Sequence, residues 1–362
     1  MPSAPLSNEI EISIFGNSYG ECIVVHLCDG EWIIVDSFRD PYTKRPIALE
    51  YLKSIKVDCA KNVKAIVATH WHDDHVCGLS DVINECKNAL FICSEAAGKN
   101  EFLELVGSDV DLNESRPGIQ ELSNILETLK TRKATFMRAV ENKILLNTDR
   151  YQVYSLSPSD HAISLAHREI LALLPADKQP RKPIAHMDPN HTGIVVLISV
   201  SGQNILLGAD LAESGDIRIG WSRIVADPAR PKCKSTIFKI PHHGSGGAHN
   251  DNVWTQLLEP KPLSILSSFV RGSCCLPKKD DMRRILKYTN KVWITADPYK
   301  KRKPNKRDNM VEKTIKETVV SMRALTEKGH VKMRLDCGKR GASWTVELSG
   351  LAMPLDKCLV TK

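Results

Sequence analysis

The segment His70-Trp71-His72-Asp73-Asp74-His75 sets four metal-ligating side chains, His70, His72, Asp74 and His75, within six residues, directly after the apolar run Lys64-Ala65-Ile66-Val67-Ala68-Thr69. A strand sends successive side chains to opposite faces, so His70 and His72 leave its end on the same side. Asp74 and His75 follow one turn later, ahead of Gly78 and a helix-like stretch over 79–86. Two imidazoles can hold one divalent ion in such a loop, while a carboxylate and a third imidazole hold a neighbour. Ligands of this kind suit Zn, Mn or Fe. Isolated histidines rarely cluster in this way in a plain polar turn.

The surrounding pattern alternates strands and helices. Residues 9–16, 22–28 and 32–38 are β-branched-rich runs separated by Gly turns, which predicts a meander. A helix is expected over 48–55, then strands over 63–69 and 91–93. Between about 96 and 140 the apolar positions Ile119, Leu122, Ile125, Leu126 and Leu129 recur at helical spacing. A strand over 151–156 and a helix over 164–174 follow. The second half offers strands over 194–200, 204–207, 236–240, 263–269 and 291–295, with helical stretches between most of them. The tail reads as a helix over about 310–325 and two strands, 331–335 and 343–348. Periodicity by itself shows mixed α and β, with no repeat of fixed period.

Composition limits the classes further. The 362 residues are 42% hydrophobic, enough for a sizeable core. No apolar run approaches the ~20 residues a bilayer crossing needs. Met1-Pro2-Ser3-Ala4-Pro5-Leu6 lacks the basic head and apolar stretch of a secretory signal, so a cytoplasmic protein with no membrane association is expected. The 11 cysteines are scattered without a CxxC pair, the usage of free thiols in a reducing compartment. Cys77, just behind the metal loop, reads as a packing residue before it reads as a ligand. Fifty Lys and Arg against 43 Asp and Glu leave a net charge of +7, concentrated at Lys300-Lys301-Arg302-Lys303-Pro304-Asn305-Lys306-Arg307. That run is either a solvated loop or a contact for a phosphate backbone; no interleaved aromatics suggest stacking on bases.

His70, His72, Asp74 and His75 match the HxHxDH signature, and the chain resembles the metallo-β-lactamase-fold hydrolases. Glu31-Trp32-Ile33-Ile34-Val35-Asp36 is similar to the family's early strand ending in Asp. Asn204-Ile205-Leu206-Leu207-Gly208-Ala209-Asp210 is similar to the strand that ends in the metal-bridging Asp. Ile237-Phe238-Lys239-Ile240-Pro241-His242-His243-Gly244-Ser245 resembles the strand and loop that supply the last His. Its HHGS form, with the Gly-rich turn Gly16-Asn17-Ser18-Tyr19-Gly20, is similar to the soluble domain of late-competence DNA-uptake channel proteins and their stand-alone relatives.

The resemblance implies an α/β fold, a four-layer αββα sandwich with its metals at one sheet edge. It assigns one domain over 1–362, with a core over about 9–297, a helical insertion over about 96–140 and a C-terminal helix and hairpin over about 308–350. It implies two divalent ions, Zn or Mn. His70 and His72 would hold the first; Asp74, His75 and a HHGS histidine, His243 ahead of His242, would hold the second, and Asp210 would bridge. The first ion's third ligand is His191 or its neighbour Asn190. Asp36 would fix a ligand imidazole or cap a turn. His242 would stand over the substrate as a catalytic group, and Asp74 would orient a metal-bridged hydroxide. Leu276 stands where competence-type relatives carry a His, so His249 or the Lys278-Lys279 pair would replace that contact, with Ser245 beside them on the substrate. The reading is a metal-dependent hydrolase, a phosphodiesterase or nuclease acting on nucleic acid or a nucleotide-like small molecule. The alternatives are a hydrolase of a small ester, thioester or lactam, and a non-catalytic component with protein partners in a multi-protein system.

Overall fold

In the computed structural model the described residues are 3–98, 106, 117–134, 136–173, 188–300, 308–318 and 327–360. The first half supplies β1 (Glu9–Gly16), β2 (Glu21–Leu27), β3 (Trp32–Val35), β4 (Val63–Ala68), β5 (Leu90–Ser94) and β6 (Phe136–Ala139). The second supplies β7 (Lys143–Asn147), β8 (Tyr151–Ser155), β9 (Val196–Val200), β10 (Gln203–Leu207), β11 (Ser235–Lys239), β12 (Leu258–Leu266), a hairpin of β13 (Phe269–Arg271) and β14 (Cys274–Leu276), and β15 (Val292–Ile294). The tail adds β16 (Gly329–Asp336), β17 (Thr345–Gly350) and β18 (Met353–Pro354).

These strands form two eight-stranded sheets, ordered β17-β16-β1-β2-β3-β4-β5-β6 and β18-β15-β12-β11-β10-β9-β8-β7. Each begins as an antiparallel meander and turns parallel, at β3–β4 in the first and β10–β11 in the second. Both faces of each sheet are covered, which is why β2 (ECIVVHL) is buried along its whole length. Ile10, Ile12, Ile14, Val25, Ile33 and Val67 of the first sheet meet Val153, Val196, Ile198, Ile205, Ile237 and Ile265 of the second in one core. On the outer face of the first sheet Val24, Ile34 and Ile66 pack against helices Ile47–Ser54, Leu79–Glu85 and Pro117–Thr131. Leu206, Phe238 and Leu266 do the same on the second, against helices that include Gly220–Ala226 and Lys279–Tyr288. This is the four-layer αββα sandwich of the expected class.

Several boundaries differ from the sequence reading. The segment expected to be helical over 96–140 ends in strand β6, and its one long described helix is Pro117–Thr131, after a short 3-10 turn at Glu95–Gly98, with residues 99–105, 107–116 and 135 outside the described residues. Short, half-buried runs such as β6 and β7 carry no clear period of two, and neighbouring strands hold them. The C-terminal extension joins both sheets: β16 pairs with β1 over eight residues and β18 pairs with β15. The tail helix is described over Asn309–Thr318, and the basic residues 301–307 lie outside the described residues, as do 319–326. No described helix is long and apolar enough to cross a membrane.

Candidate metal centre

The carboxyl ends of β3, β4, β10 and β11 meet at one edge of the sandwich. Such ends, where connections switch direction, are where α/β sheets leave room for a site. β4 runs into Thr69 and His70, and a short turn, Asp73–Val76, carries Asp74 and His75 back toward the sheet. β10 ends at Leu207, and Asp210 follows through Ala209 at φ 46°. Beyond β11, His242 and His243 both take left-handed backbone (φ 46° and 52°), which turns His243 inward.

Two groups of ligand atoms converge there, each within 4.8 Å of one another: His70, His75 and Asp210, and Asp74, His75 and His243. His243 Nε2 stands 3.3 Å from both Asp74 Oδ2 and Asp210 Oδ2, and His75 Nε2 stands 3.4 Å from Asp210 Oδ2. His72 Nδ1 lies 3.2 Å from His70 Nε2. His72 and His191 contribute no atom to these groups among the described residues. His191 and Asn190 sit in the turn Pro189–Thr192, next to Ile194, whose N–H donates to Thr69 O at 3.1 Å. Asn190 is the more buried of the two, and its Oδ1 has no hydrogen-bond partner among the described residues.

The imidazoles are held from behind. Asp36, at the end of β3, accepts from Thr69 N at 2.8 Å and from Thr69 Oγ1 at 2.7 Å, and takes the His75 Nδ1 proton at 2.7 Å. With Nδ1 committed to Asp36, His75 turns Nε2 toward the cluster, where a divalent ion would take the place of its proton. On the other side His243 Nδ1 meets Ser267 Oγ at 2.8 Å, and Ser267 Oγ donates to Glu21 Oε2. Lys239, fully buried, reaches Glu21 Oε1 at 2.6 Å, Ala209 O at 2.8 Å and Asp210 Oδ1 at 3.5 Å. The sequence reading gives Glu21, Lys239 and Ser267 no role in the site. Each sits on an apolar strand or just beyond its end, where an isolated polar residue reads as a solvated edge.

The cavity over the cluster has a volume of about 220 Å³. Trp71, His72, Asp73, Asp74, Asp210, His242 and His243 form its floor, with Ile119 on one wall and Tyr19, Phe269, Arg271, Cys274 and Leu276 on the other. The hairpin β13–β14 carries that second wall: Phe269 stacks on His243 with centroids 5.1 Å apart, and Val270 N donates to Ser18 O. Arg271 lies over the Tyr19 ring, 5.4 Å from its centroid, and Nη1 donates to Tyr19 Oη at 3.2 Å.

The expected substrate contacts lie elsewhere. Ser245 is absent from the cavity lining and caps the next turn, with Oγ accepting from Gly247 N. Lys278 and Lys279 begin helix Lys279–Tyr288; Lys278 N donates to Asp281 and Lys279 Nζ lies over the Tyr299 ring. His249 is bound to Asp251 at 2.8 Å. Arg271 is the cation that the fold brings to the wall instead. A single arginine in a short strand gives no signal in the sequence. All 11 cysteines are free thiols, and burial, followed by weaker effects, pushes the Cys77 pKa up; Cys77 joins neither ligand group.

The charges show what the site suits. Burial opposes ionisation of Asp210, but His243, His75 and Lys239 outweigh it and hold its pKa well below the carboxylate range. Burial likewise opposes a charged His75, yet Asp210, Asp74 and Asp36 hold its pKa well above the usual value. His243 is pushed up to about 9 by Asp210 and Asp74 against its burial. His70, under burial and the neighbouring His75 and His72, is held well below the usual value and stays neutral. Among the described residues four buried carboxylates thus face one buried ammonium, and protons on imidazoles offset the excess. Nε2 of His75, Nε2 of His243 and Oδ1 of Asp210 are buried with no hydrogen-bond partner among the described residues. Orphaned nitrogen and oxygen donors in an anionic nest fit divalent cations.

Residues 16–128 match the family model described as the metallo-beta-lactamase superfamily. A search of curated proteins finds no match. Among solved structures the chain is similar to the Zn(2+)-bound PqqB of Methylobacterium extorquens (11% identity, 67% of this chain and 70% of that one, TM-score 0.32). It is also similar to a metallo-beta-lactamase from Pontibacter korlensis (15%, 59% and 73%, 0.29) and to the flavodiiron protein from Giardia intestinalis (17%, 54% and 33%, 0.28). The chain spans a third of the length of the flavodiiron protein.

Proposed function

We propose that this chain, whose fold is that of the metallo-β-lactamase superfamily, is a metal-dependent hydrolase of small phosphodiesters. One observation carries the reading: donor atoms of Asp74, His75, Asp210 and His243 converge beneath a compact cavity whose wall holds Arg271. His70, His72, Asp74, His75, Asp210 and His243 are the proposed ligands, with Asn190 or His191 completing the set at His70 and His72. Bound there, divalent ions supply Lewis-acid polarisation of the ester and water made nucleophilic near neutral pH.

The chain's own residues orient and recognise. Asp36 fixes the His75 tautomer, and Asp74 places a carboxylate at the cavity floor. Burial pushes the His242 pKa down, so its imidazole stays neutral on the lining and can donate to a developing oxyanion. The Tyr19 pKa is pushed up to about 12 by burial and by Asp74 and Asp73, so its hydroxyl keeps its proton. Arg271 presents a planar fork suited to phosphate. A volume of about 220 Å³ falls below the ~300–1,000 Å³ of pockets for drug-sized ligands, which favours a nucleotide-sized ester or a chain end over a duplex. The HHGS likeness to competence-type domains points to phosphate esters as a resemblance only.

A second reading, a hydrolase of a carbon ester or lactam, draws on the apolar side chains Trp71, Ile119, Phe269 and Leu276 in the same lining. Metal content of the purified protein, with Mn- and Zn-supplemented assays on bis(p-nitrophenyl) phosphate, a lactone and a β-lactam, separates them. The proposal expects bound metal and phosphodiester turnover that falls at least ~10³-fold in Asp74→Ala, with an unchanged far-UV circular dichroism spectrum. Near-normal turnover in that variant, or turnover of the lactone alone, sinks it.

A further inference from the structure

The proposed metal ligands come from two sheets, so their spacing depends on what holds the two sheets together at this edge. On the first sheet Asp36 ties His75 to Thr69. On the second, both Asp210 and His243 are tied to one residue that belongs to the other sheet. We propose that Glu21 is a positioning residue that spans the sheets and fixes both second-sheet ligands through separate arms, Lys239 to Asp210 and Ser267 to His243. The inference rests on the reading of Asp210 and His243 as metal ligands.

Lys239 Nζ lies 2.6 Å from Glu21 Oε1, donates to Ala209 O at 2.8 Å, and stands 3.5 Å from Asp210 Oδ1 as an ion pair without a formed hydrogen bond. Asp210 Oδ1 is thereby held toward the ammonium, and Oδ2 is the oxygen left facing His75 and His243. Ser267 has one proton and gives it to Glu21 Oε2, so its lone pair receives the His243 Nδ1 proton. That fixes His243 as the tautomer with Nε2 free for the metal side. Glu21 and Asp36 also fall within 4.8 Å of His75 as a third group of possible ligands. Their oxygens are already engaged, Glu21 by Lys239 and Ser267 and Asp36 by Thr69 and His75, so this group supports the centre and does not itself hold an ion.

Glu21, from β2, and Lys239, from β11, are both essentially inaccessible. A purely structural ion pair of this kind can be replaced by a neutral pair with little loss, whereas breaking it from one side is costly. A positioning role behaves differently, since the neutral pair would no longer hold Asp210 or direct the Ser267 proton. The test is metal affinity, with stripped protein titrated with Zn(II) against a chromogenic chelator, and the absorption spectrum of the Co(II) form. Ser267→Ala, which leaves the Glu21–Lys239 pair intact, and the double variant Glu21→Gln with Lys239→Met are compared with the parent chain. The expected result is melting near the parent temperature for both variants, affinity for at least one equivalent weakened about 10–100-fold, and an altered Co(II) spectrum. Parent-like affinity and spectrum in both variants overturn the inference, as does a parent chain that binds no metal. Because no readout is hydrolytic, a chain that binds metal as expected and cleaves no ester would refute the proposed activity and leave this inference standing.

Discussion

Glu21, Asp36, Asp74 and Asp210 surround Lys239 and the imidazoles of His70, His75 and His243, and this imbalance of charge has a measurable consequence. The folded-state pKa of His243 is about 9, above the ~6.5 of an unfolded histidine. In that interval the metal-free folded chain binds a proton that the unfolded chain does not. The stabilisation is fully present below about pH 6.5 and is lost as pH rises through about 9. EDTA-stripped protein should therefore melt at a lower temperature near pH 9.5 than near pH 6.5. Added Zn should reverse that trend, because metal and proton compete for the same nitrogen. A stripped protein whose Tm climbs across the window would contradict this. Arg271 makes a second expectation at this scale. Arg271→Ala should lower kcat/KM about 10-fold for an anionic phosphodiester and leave an uncharged ester nearly unaffected, since a charge-assisted hydrogen bond contributes roughly 1.5–3 kcal/mol. Arg271→Lys should recover only part of the loss, because it keeps the charge without the fork.

At the scale of elements, the two halves repeat one device. A strand ends in Asp36 or leads to Asp210, and the next parallel strand opens into a histidine loop, at His70 or at His242. Each loop was legible because ligands crowd into a few residues there. The wall over the site was less so. Helix Pro117–Thr131 announced its buried stripe, Ile119, Leu122, Ile125 and Leu129, but not that its start would lie on the loop from His70 to His75. There Gly118 N donates to Asp73 Oδ1 at 2.7 Å, and a Cβ at Gly118 would stand 2.6 Å from Trp71 O. Backbone cannot yield as a flexible side chain does. Gly118→Ala should lift this helix and cost about 1–3 kcal/mol in a urea titration, with weaker Zn binding; an unchanged midpoint would show that the contact is slack. The hairpin β13–β14 escaped the sequence reading because each strand has three residues, too few to show a period.

For the whole molecule the tail matters more than its position in the chain suggests. β16 lies between β17 and β1 inside the first sheet, while β18 lies at the edge of the second. Gly329, where β16 begins, is packed so closely on the second half that a Cβ would stand 1.6 Å from Thr295 O. Gly329→Ala should leave little soluble, folded protein, and soluble Gly329→Ala with a parent-like melting curve would refute this view of the join. Arg334 of β16 also donates to Glu11 Oε2 at 2.7 Å, a fully buried carboxylate on β1. Removing the tail would expose both that charge and the edge of β1.

The sequence by itself determined a mixed α/β chain, the buried strands and the loops that carry His70, His72, Asp74, His75, Asp210 and His243, because continuous apolar runs and clustered ligands are local signals; the four-layer sandwich came through the resemblance that those loops carry. It left His242 and His243 both open as the converging imidazole, and the left-handed backbone at both residues turns His243 inward. Only the tertiary structure decided that Glu21 and Lys239 would meet across two sheets, that Arg271 would line the cavity in place of Lys278 and Lys279, and that Ser245 would cap a turn. Those pairings join residues more than 200 positions apart or depend on which way a short turn points. Their energy exists only once both sheets are packed, so no stretch of the chain can record it alone.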